Sequence, residues 1–373
     1  MRRSKYLRPA WLDDTNLERP NAKTSAMIAS IAGPDQRTSP TPFGNALAKL
    51  AETRPEIVGL SADLAKYTDL HIFAQKHPDR FYQMGMAEQL LMMASAGLAR
   101  EGFQPWATTY AVFASRRAYD FICLAIAEEN LDVKICCALP GLTTGYGPSH
   151  QATEDLAIFR GMPNLTIVDP CDAHEIEQVV PAIAAHKGPV YMRLLRGNVP
   201  LVLDKYGYRF ELGKAKLLRD GADTLIISSG LMTMRALEAA DILEKDNLSI
   251  AVLHVPTIKP LDEATILQEA GKTGRPVVVA ENHTIIGGLG EAVAGVLLRG
   301  GVMPAGFRQI ALPDRFLEAG ALPTLHDLYG LSSQAVAASI KSWLELPRLG
   351  GRFAGQDGLI RPSRLLSYSI GER

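Results

Sequence analysis

The chain has 373 residues, 47% of them hydrophobic, enough apolar side chain to build the cores of two or three domains. Lys+Arg 39 against Asp+Glu 40 gives a formal net charge of -1, which argues against a nucleic-acid or membrane-surface binder, since both need a basic face. No run of 18 apolar residues occurs, so no segment is read as spanning a membrane. The four cysteines (Cys123, Cys136, Cys137, Cys171) lack CxxC or zinc spacing and are read as buried reduced thiols of a cytoplasmic protein.

Residues 1 to about 40 are polar and carry the turn formers Gly33-Pro34-Asp35 and Ser39-Pro40-Thr41-Pro42. They are expected to form an arm that wraps a neighbour or stays mobile. From Phe43 the pattern becomes regular. It predicts a helix over Asn45–Glu52, a buried strand over Ile57–Leu60, an apolar helix over Ala87–Arg100 and a strand over Pro105–Thr109. A helix over Ser115–Glu129 follows, then strands over Val133–Leu139 and Thr166–Val168, a helix over Asp172–His186 and a closing strand over Val190–Leu194. Pro200 to Asp220 is less regular and separates a second unit. That unit reads as strands over Thr224–Ser228, Ile250–His254, Pro276–Ala280 and Arg308–Ala311, with helices over Thr233–Lys245, Asp262–Glu269, the stretch after Gly287-Gly288-Leu289-Gly290, and Ser333–Leu344.

Short, uniformly apolar strands alternating with helices imply parallel sheets covered on both faces. The expected fold is therefore two consecutive three-layer α/β domains. The boundaries are an N-terminal arm at 1–40, a first domain at 41–205, a second at 206–347, and an extended Gly- and Arg-rich tail at 348–373. The glycine-rich turn at 287–290 can cradle a phosphate, but the chain has no GxGxxG and no P-loop lysine, so a plain tight turn is favoured.

The informative carboxylate is Glu88. After Glu88 and Gln89 the helix is apolar on nearly every face and is expected to be buried all round. An unpaired buried charge is costly, so an acid opening such a helix is more often functional than a solvated one.

Gly85-Met86-Ala87-Glu88-Gln89 resembles the cofactor-activating motif of transketolases, 1-deoxyxylulose-5-phosphate synthases and 2-oxo acid dehydrogenase beta subunits. Further matches occur in the same order. They are Leu60-Ser61-Ala62-Asp63-Leu64, Thr109-Tyr110-Ala111-Val112-Phe113 with Arg117-Ala118-Tyr119-Asp120, Pro148-Ser149-His150-Gln151, Val168-Asp169-Pro170 and Arg193-Leu194-Leu195-Arg196. The resemblance to the transketolase family covers residues 43 to about 345. It implies a pyrimidine-binding domain for thiamine diphosphate followed by a transketolase C-terminal domain.

It also implies roles. Glu88 and His150 would be catalytic, Glu88 by bonding the aminopyrimidine of the cofactor. Asp63, Glu88, Tyr110, Phe113 and Arg117 would bind thiamine diphosphate, with Phe113 and Tyr110 as an aromatic platform; outside the motif both rings read as core residues. His150 and Arg196 would bind substrate. No metal ligand is expected in this chain, because the Gly-Asp-Gly and later Asn that hold Mg²⁺ in the family are missing. The whole pyrophosphate-binding half is absent. The expectation is a separately encoded partner subunit carrying the Mg²⁺ ligands, joined in an α2β2 assembly.

Sugar recognition departs from the pattern. Leu139 stands where the family has a phosphate-contacting His, and Gly145-Tyr146-Gly147-Pro148 replaces Gly-Glu-Asp-Gly. These changes imply two-carbon ketol transfer with an atypical sugar or sugar phosphate. Competing readings are a 2-oxo acid dehydrogenase beta subunit, a deoxyxylulose-phosphate-synthase-like enzyme, or a non-catalytic binding module.

Overall fold

Each apolar run predicted as a strand forms one, because a parallel strand covered on both faces is apolar on both. The computed structural model describes residues 31–345, apart from 34 and 273, and the backbone of 348–349 and 352–353. Most of the expected N-terminal arm and C-terminal tail therefore lies outside the described residues.

The first domain starts with β1 (Thr38–Pro40) and α1 (Pro42–Leu50). Pro42 suits a helix start, since its fixed φ is helical and the N–H it lacks would have no partner there. Then come β2 (Ile57–Ser61), α2 (His71–Lys76), β3 (Phe81–Gln83), α3 (Glu88–Arg100) and β4 (Gln104–Tyr110). Next are α4 (Ala111–Arg117), α5 (Tyr119–Ile122), β5 (Lys134–Ala138), α6 (Asp155–Arg160), β6 (Thr166–Val168), α7 (Ala173–Ala185), β7 (Val190–Leu194) and β8 (Asn198–Pro200). Strands in the order β6-β7-β5-β4-β2-β3 are parallel. β1 pairs antiparallel with β8, which ties residues 38–40 to this domain.

The second domain holds β9 (Lys216–Arg219), β10 (Thr224–Ser228), α8 (Leu231–Glu244), β11 (Ile250–His254), β12 (Thr257–Lys259) and α9 (Glu263–Ala270). It continues through β13 (Val277–Thr284), α10 (Leu289–Arg299), β14 (Phe307–Leu312), α11 (Leu322–Leu328) and α12 (Ser333–Leu344). Its sheet order is β14-β13-β10-β11-β9, with β9 antiparallel to the rest.

Three expectations need correction. The sheets are mixed rather than purely parallel: besides β9, the short β12 leaves the second domain and adds antiparallel to β6 at the edge of the first sheet. The helix expected over Ser115–Glu129 is broken. A wide bond from Ala118 N to Phe113 O (3.3 Å) ends α4, and Cys123–Ala127 winds as a π-helix. Lastly, α3 is not buried all round. Leu91, Met92, Ser95 and Ala96 face the core, whereas Leu90 is 54% and Met93 47% exposed, as is Met86 just before the helix at 81%.

The two domains share buried polar contacts. Arg193 on β7 reaches the second domain from Nη2, donating to the Asn282 carbonyl (2.9 Å). Within the first domain it donates from Nε to Asp155 Oδ2 (2.9 Å), from Nη2 to Asp155 Oδ1 (3.1 Å) and from Nη1 to Asp169 Oδ2 (3.1 Å). Ser229 of the second domain also donates to Asp169 Oδ2, at 2.8 Å. On α7, Glu175 meets His254 Nε2 of β11 at 2.9 Å. Cys136, Cys137 and Cys171 are buried and Cys123 is half-buried; burial pushes the three buried thiols up, which keeps them protonated.

Candidate active site

β2, β4, β5 and β7 run parallel, so their C-terminal ends share one edge of the first sheet. The chain passes outward from β2 to β3, then returns to β4 on the other side of β2. Open α/β sheets bind ligands at such a switch point, where connections leave the edge in opposite directions. Tyr110 ends β4, Arg196 lies two residues past β7, and His150 sits in the loop after β5.

Glu88 opens α3 and is 1% exposed. It is not the unpaired acid expected above, because Arg117 Nη1 donates to Glu88 Oε2 at 2.7 Å. Arg117 closes α4, and its guanidinium carbon lies 4.8 Å from the centre of the Phe113 ring. Phe113 and Tyr110 sit 5.7 Å apart. The His150 ring meets three aromatics edge-on, Phe113 at 5.5 Å, Tyr146 at 5.5 Å and Tyr110 at 6.1 Å, while its Nδ1 is 2.9 Å from Ser149 Oγ. Glu88, Arg117, Phe113, Tyr110 and His150 thus form one connected cluster.

Arg196 approaches from β7, its guanidinium 5.9 Å from the Tyr67 ring centre. Burial pushes the Tyr110 phenol up, opposed by the Arg196 charge. Burial likewise raises the Asp69 carboxyl, opposed by the Gly197 amide and then by Arg196. Tyr67, Asp69 and His71 were not singled out from sequence; the first two lie in the β2–α2 connection and His71 opens α2, where no motif spacing marks them. Asp63 stands apart: it is exposed, its backbone is left-handed (φ 58), and its amide donates to Gln83 Oε1 at 2.6 Å.

Among the described residues, several buried polar atoms have no hydrogen-bond partner. They include Thr109 Oγ1, Gln151 Oε1, Arg196 Nε and His71 Nδ1, each on or beside a member of this group. An unmade bond costs about 1–3 kcal/mol, so their concentration at a ligand-binding edge fits a polar ligand completed by ring nitrogens and hydroxyls.

The glycine turn before α10 is already occupied by protein. Glu281 accepts from Leu289 N (2.6 Å) and Gly290 N (2.9 Å), and a Cβ on Gly288 would lie 2.0 Å from Glu281 Oε2. The glycines make room for this carboxylate, which burial pushes up to about 7, so the tight-turn reading stands over the phosphate cradle.

Residues 36–202 match the family profile of the transketolase pyrimidine-binding domain and residues 213–336 that of the transketolase C-terminal domain. An uncharacterized transketolase family protein of Sinorhizobium fredii is 78% identical over 345 residues, 92% of this chain and 100% of the relative. A 6-deoxy-6-sulfo-D-fructose transketolase subunit of a Clostridium species is 39% identical over 291 residues, 78% of this chain and 89% of the relative. Among solved structures, a split-gene transketolase in an inactive β4 tetramer superposes with a TM-score of 0.74 at 40% identity, covering 81% of this chain and 97% of that one. With both domains matched in order, this chain belongs to the transketolase family and carries its pyrimidine-binding and C-terminal domains.

Proposed function

We propose that this chain serves a thiamine-diphosphate-dependent transketolase that moves a two-carbon ketol unit between sugars, and that a separately encoded subunit completes its site. The observation that carries this reading is Glu88: a carboxylate withdrawn from water, first in its helix, beside an aromatic cluster at the ligand-binding edge of the sheet. Arg117 bonds Oε2, and Oε1 is the atom we assign to the pyrimidine ring. Phe113 and Tyr110 offer the ring a face, and the unpartnered atoms of Thr109 and Gln151 suit its polar rim.

When bound, the cofactor supplies a carbon centre that holds the two-carbon fragment between donor and acceptor. The residues of this chain do the rest. Glu88 holds a proton at the ring nitrogen, in a setting where water competes poorly. His150 moves a proton at the substrate oxygen, its ring steadied at Nδ1 by Ser149 Oγ. Arg196 grips the far end of the sugar. Leu139 and Tyr146 favour an atypical ketose, and a relative named for a sulfonated sugar supports that choice.

The Mg²⁺ and diphosphate ligands are assigned to the partner, since this sequence lacks Gly-Asp-Gly followed by Asn. The exposed side chains of Met86, Leu90 and Met93, next to Glu88, give that partner an apolar surface in an α2β2 assembly.

Calorimetry with thiamine diphosphate and Mg²⁺ tests the proposal, using this chain alone and mixed with the product of the adjacent gene. Binding is expected only in the mixture, weakened at least tenfold by Glu88→Gln. Tight binding by the chain alone, or an indifferent Glu88→Gln variant, refutes it.

A further inference from the structure

The loop joining β5 to α6 carries Tyr146 and His150, and the second domain pins it along its length. Asn282 Oδ1, on β13, accepts from Leu142 N at 2.8 Å, and His326 Nε2, on α11, lies 2.7 Å from the Leu142 carbonyl. Gly320 N donates to the Gly145 carbonyl (2.9 Å), Gln151 Nε2 to the Glu318 carbonyl (3.2 Å), and Thr284 N to the Thr153 carbonyl (2.7 Å). The loop does not favour this path by itself. Leu139 is left-handed at φ 59, a conformation that costs a residue bearing a side chain, and Gly141 is left-handed at φ 58. Strained backbone persists only where its surroundings over-determine it.

Asn282 is the firmest of these clamps. It is buried, and its own carbonyl accepts from Arg193, which Asp155 holds in turn. It also sits so close to the loop that a Cβ on Gly141 would lie 2.2 Å from the Asn282 carbonyl oxygen.

Resting on the reading of the site above, we infer that Asn282 is a positioning residue for His150. Through it the second domain sets the path of the loop that places the His150 ring against Phe113. The substrate-facing geometry of the first domain is therefore a property of the two-domain unit.

Asn282→Ala deletes the acceptor for Leu142 N, whereas Asn282→Asp keeps it. Gly141→Ala perturbs the same contact from the loop side, by driving a methyl against an unchanged Asn282 residue. All three are made in the full chain labelled with 13C-histidine, with the His150 signal assigned through His150→Gln. In Asn282→Ala and Gly141→Ala, the His150 signal should shift. Amides of residues 142–147 should exchange about ten- to a hundredfold faster, the factor for losing one buried hydrogen bond, with β2, β4, β10 and β11 unchanged. Asn282→Asp should restore both. Faster loop exchange with an unmoved His150 signal overturns the positioning role, and so does unchanged exchange or failure of Asn282→Asp to rescue. These readouts need neither cofactor nor turnover, so failure of the transketolase reading would show separately, in the calorimetry.

Discussion

Replacing Arg193 by Met removes a guanidinium from between two buried carboxylates while keeping an apolar stem of similar length. Asp155 loses two charge-assisted bonds, at 2.9 and 3.1 Å, and retains the Tyr191 hydroxyl at 2.7 Å. Asp169 loses one bond at 3.1 Å and retains Ser229. The Asn282 carbonyl loses its donor at 2.9 Å. Breaking a buried ion pair by removing one partner costs about 3–5 kcal/mol. The stranded carbonyl adds about 1 kcal/mol or more. Against a stability of about 5–15 kcal/mol, this loss should move a urea midpoint well outside error.

The assay follows tryptophan fluorescence in a Trp11→Phe background, where Trp106 reports the first domain and Trp343 the second. Since three of the four lost bonds lie within the first domain and one crosses to the second, Trp106 should report unfolding at lower urea than Trp343 in Arg193→Met. Adding Asp155→Asn should recover about 2 kcal/mol, because one stranded charge is then gone. A loss under about 1 kcal/mol, or no recovery in the double variant, refutes the reasoning.

Two further outcomes are expected. Burial lowers the His326 pKa to about 4, so the folded chain keeps this ring neutral while the unfolded chain protonates it below about 6.5. Its contribution is complete above pH 6.5 and is lost as pH falls towards 4, by about 3 kcal/mol for a shift of about 2.5 pH units. Wild type should therefore lose more stability than His326→Gln between pH 7 and 4 in parallel urea titrations; superimposable pH profiles would exclude the burial account. Leu90→Lys with Met93→Lys should leave the thermal midpoint of the isolated chain nearly unchanged, because both positions are about half exposed. Assembly with the proposed partner subunit, followed by sedimentation velocity, should fail. A fall of many degrees in the midpoint would mean that these residues belong to the core.

Strand positions were legible because an apolar run of four to six residues bounded by polar turns has few other uses in a globular chain. The runs at Ile57–Ser61, Thr224–Ser228 and Ile250–His254 are uniformly buried strands. Among the shortest strands only β6, with its apolar Ile167-Val168, carried such a signal. β3, β9 and β12 have three or four residues, and their partners come from elsewhere in the fold. The break after α4 was also invisible, since Ser115–Glu129 keeps helical periodicity through its π-wound turn.

The candidate site divides the same way. Glu88, Tyr110, Phe113, His150 and Arg196 were named from local motifs whose residue types suit one chemistry. Tertiary structure alone decided that Arg117 pairs with Glu88 across 29 residues, that Arg193 holds two buried carboxylates while reaching the Asn282 carbonyl of the second domain, and that Asn282 reaches a loop 140 positions earlier in the chain. Local sequence records which groups are present and which face a helix or strand offers. Pairing between distant groups depends on strand order and crossover direction, so the cost of burying a charge is settled only once the sheets have closed around it.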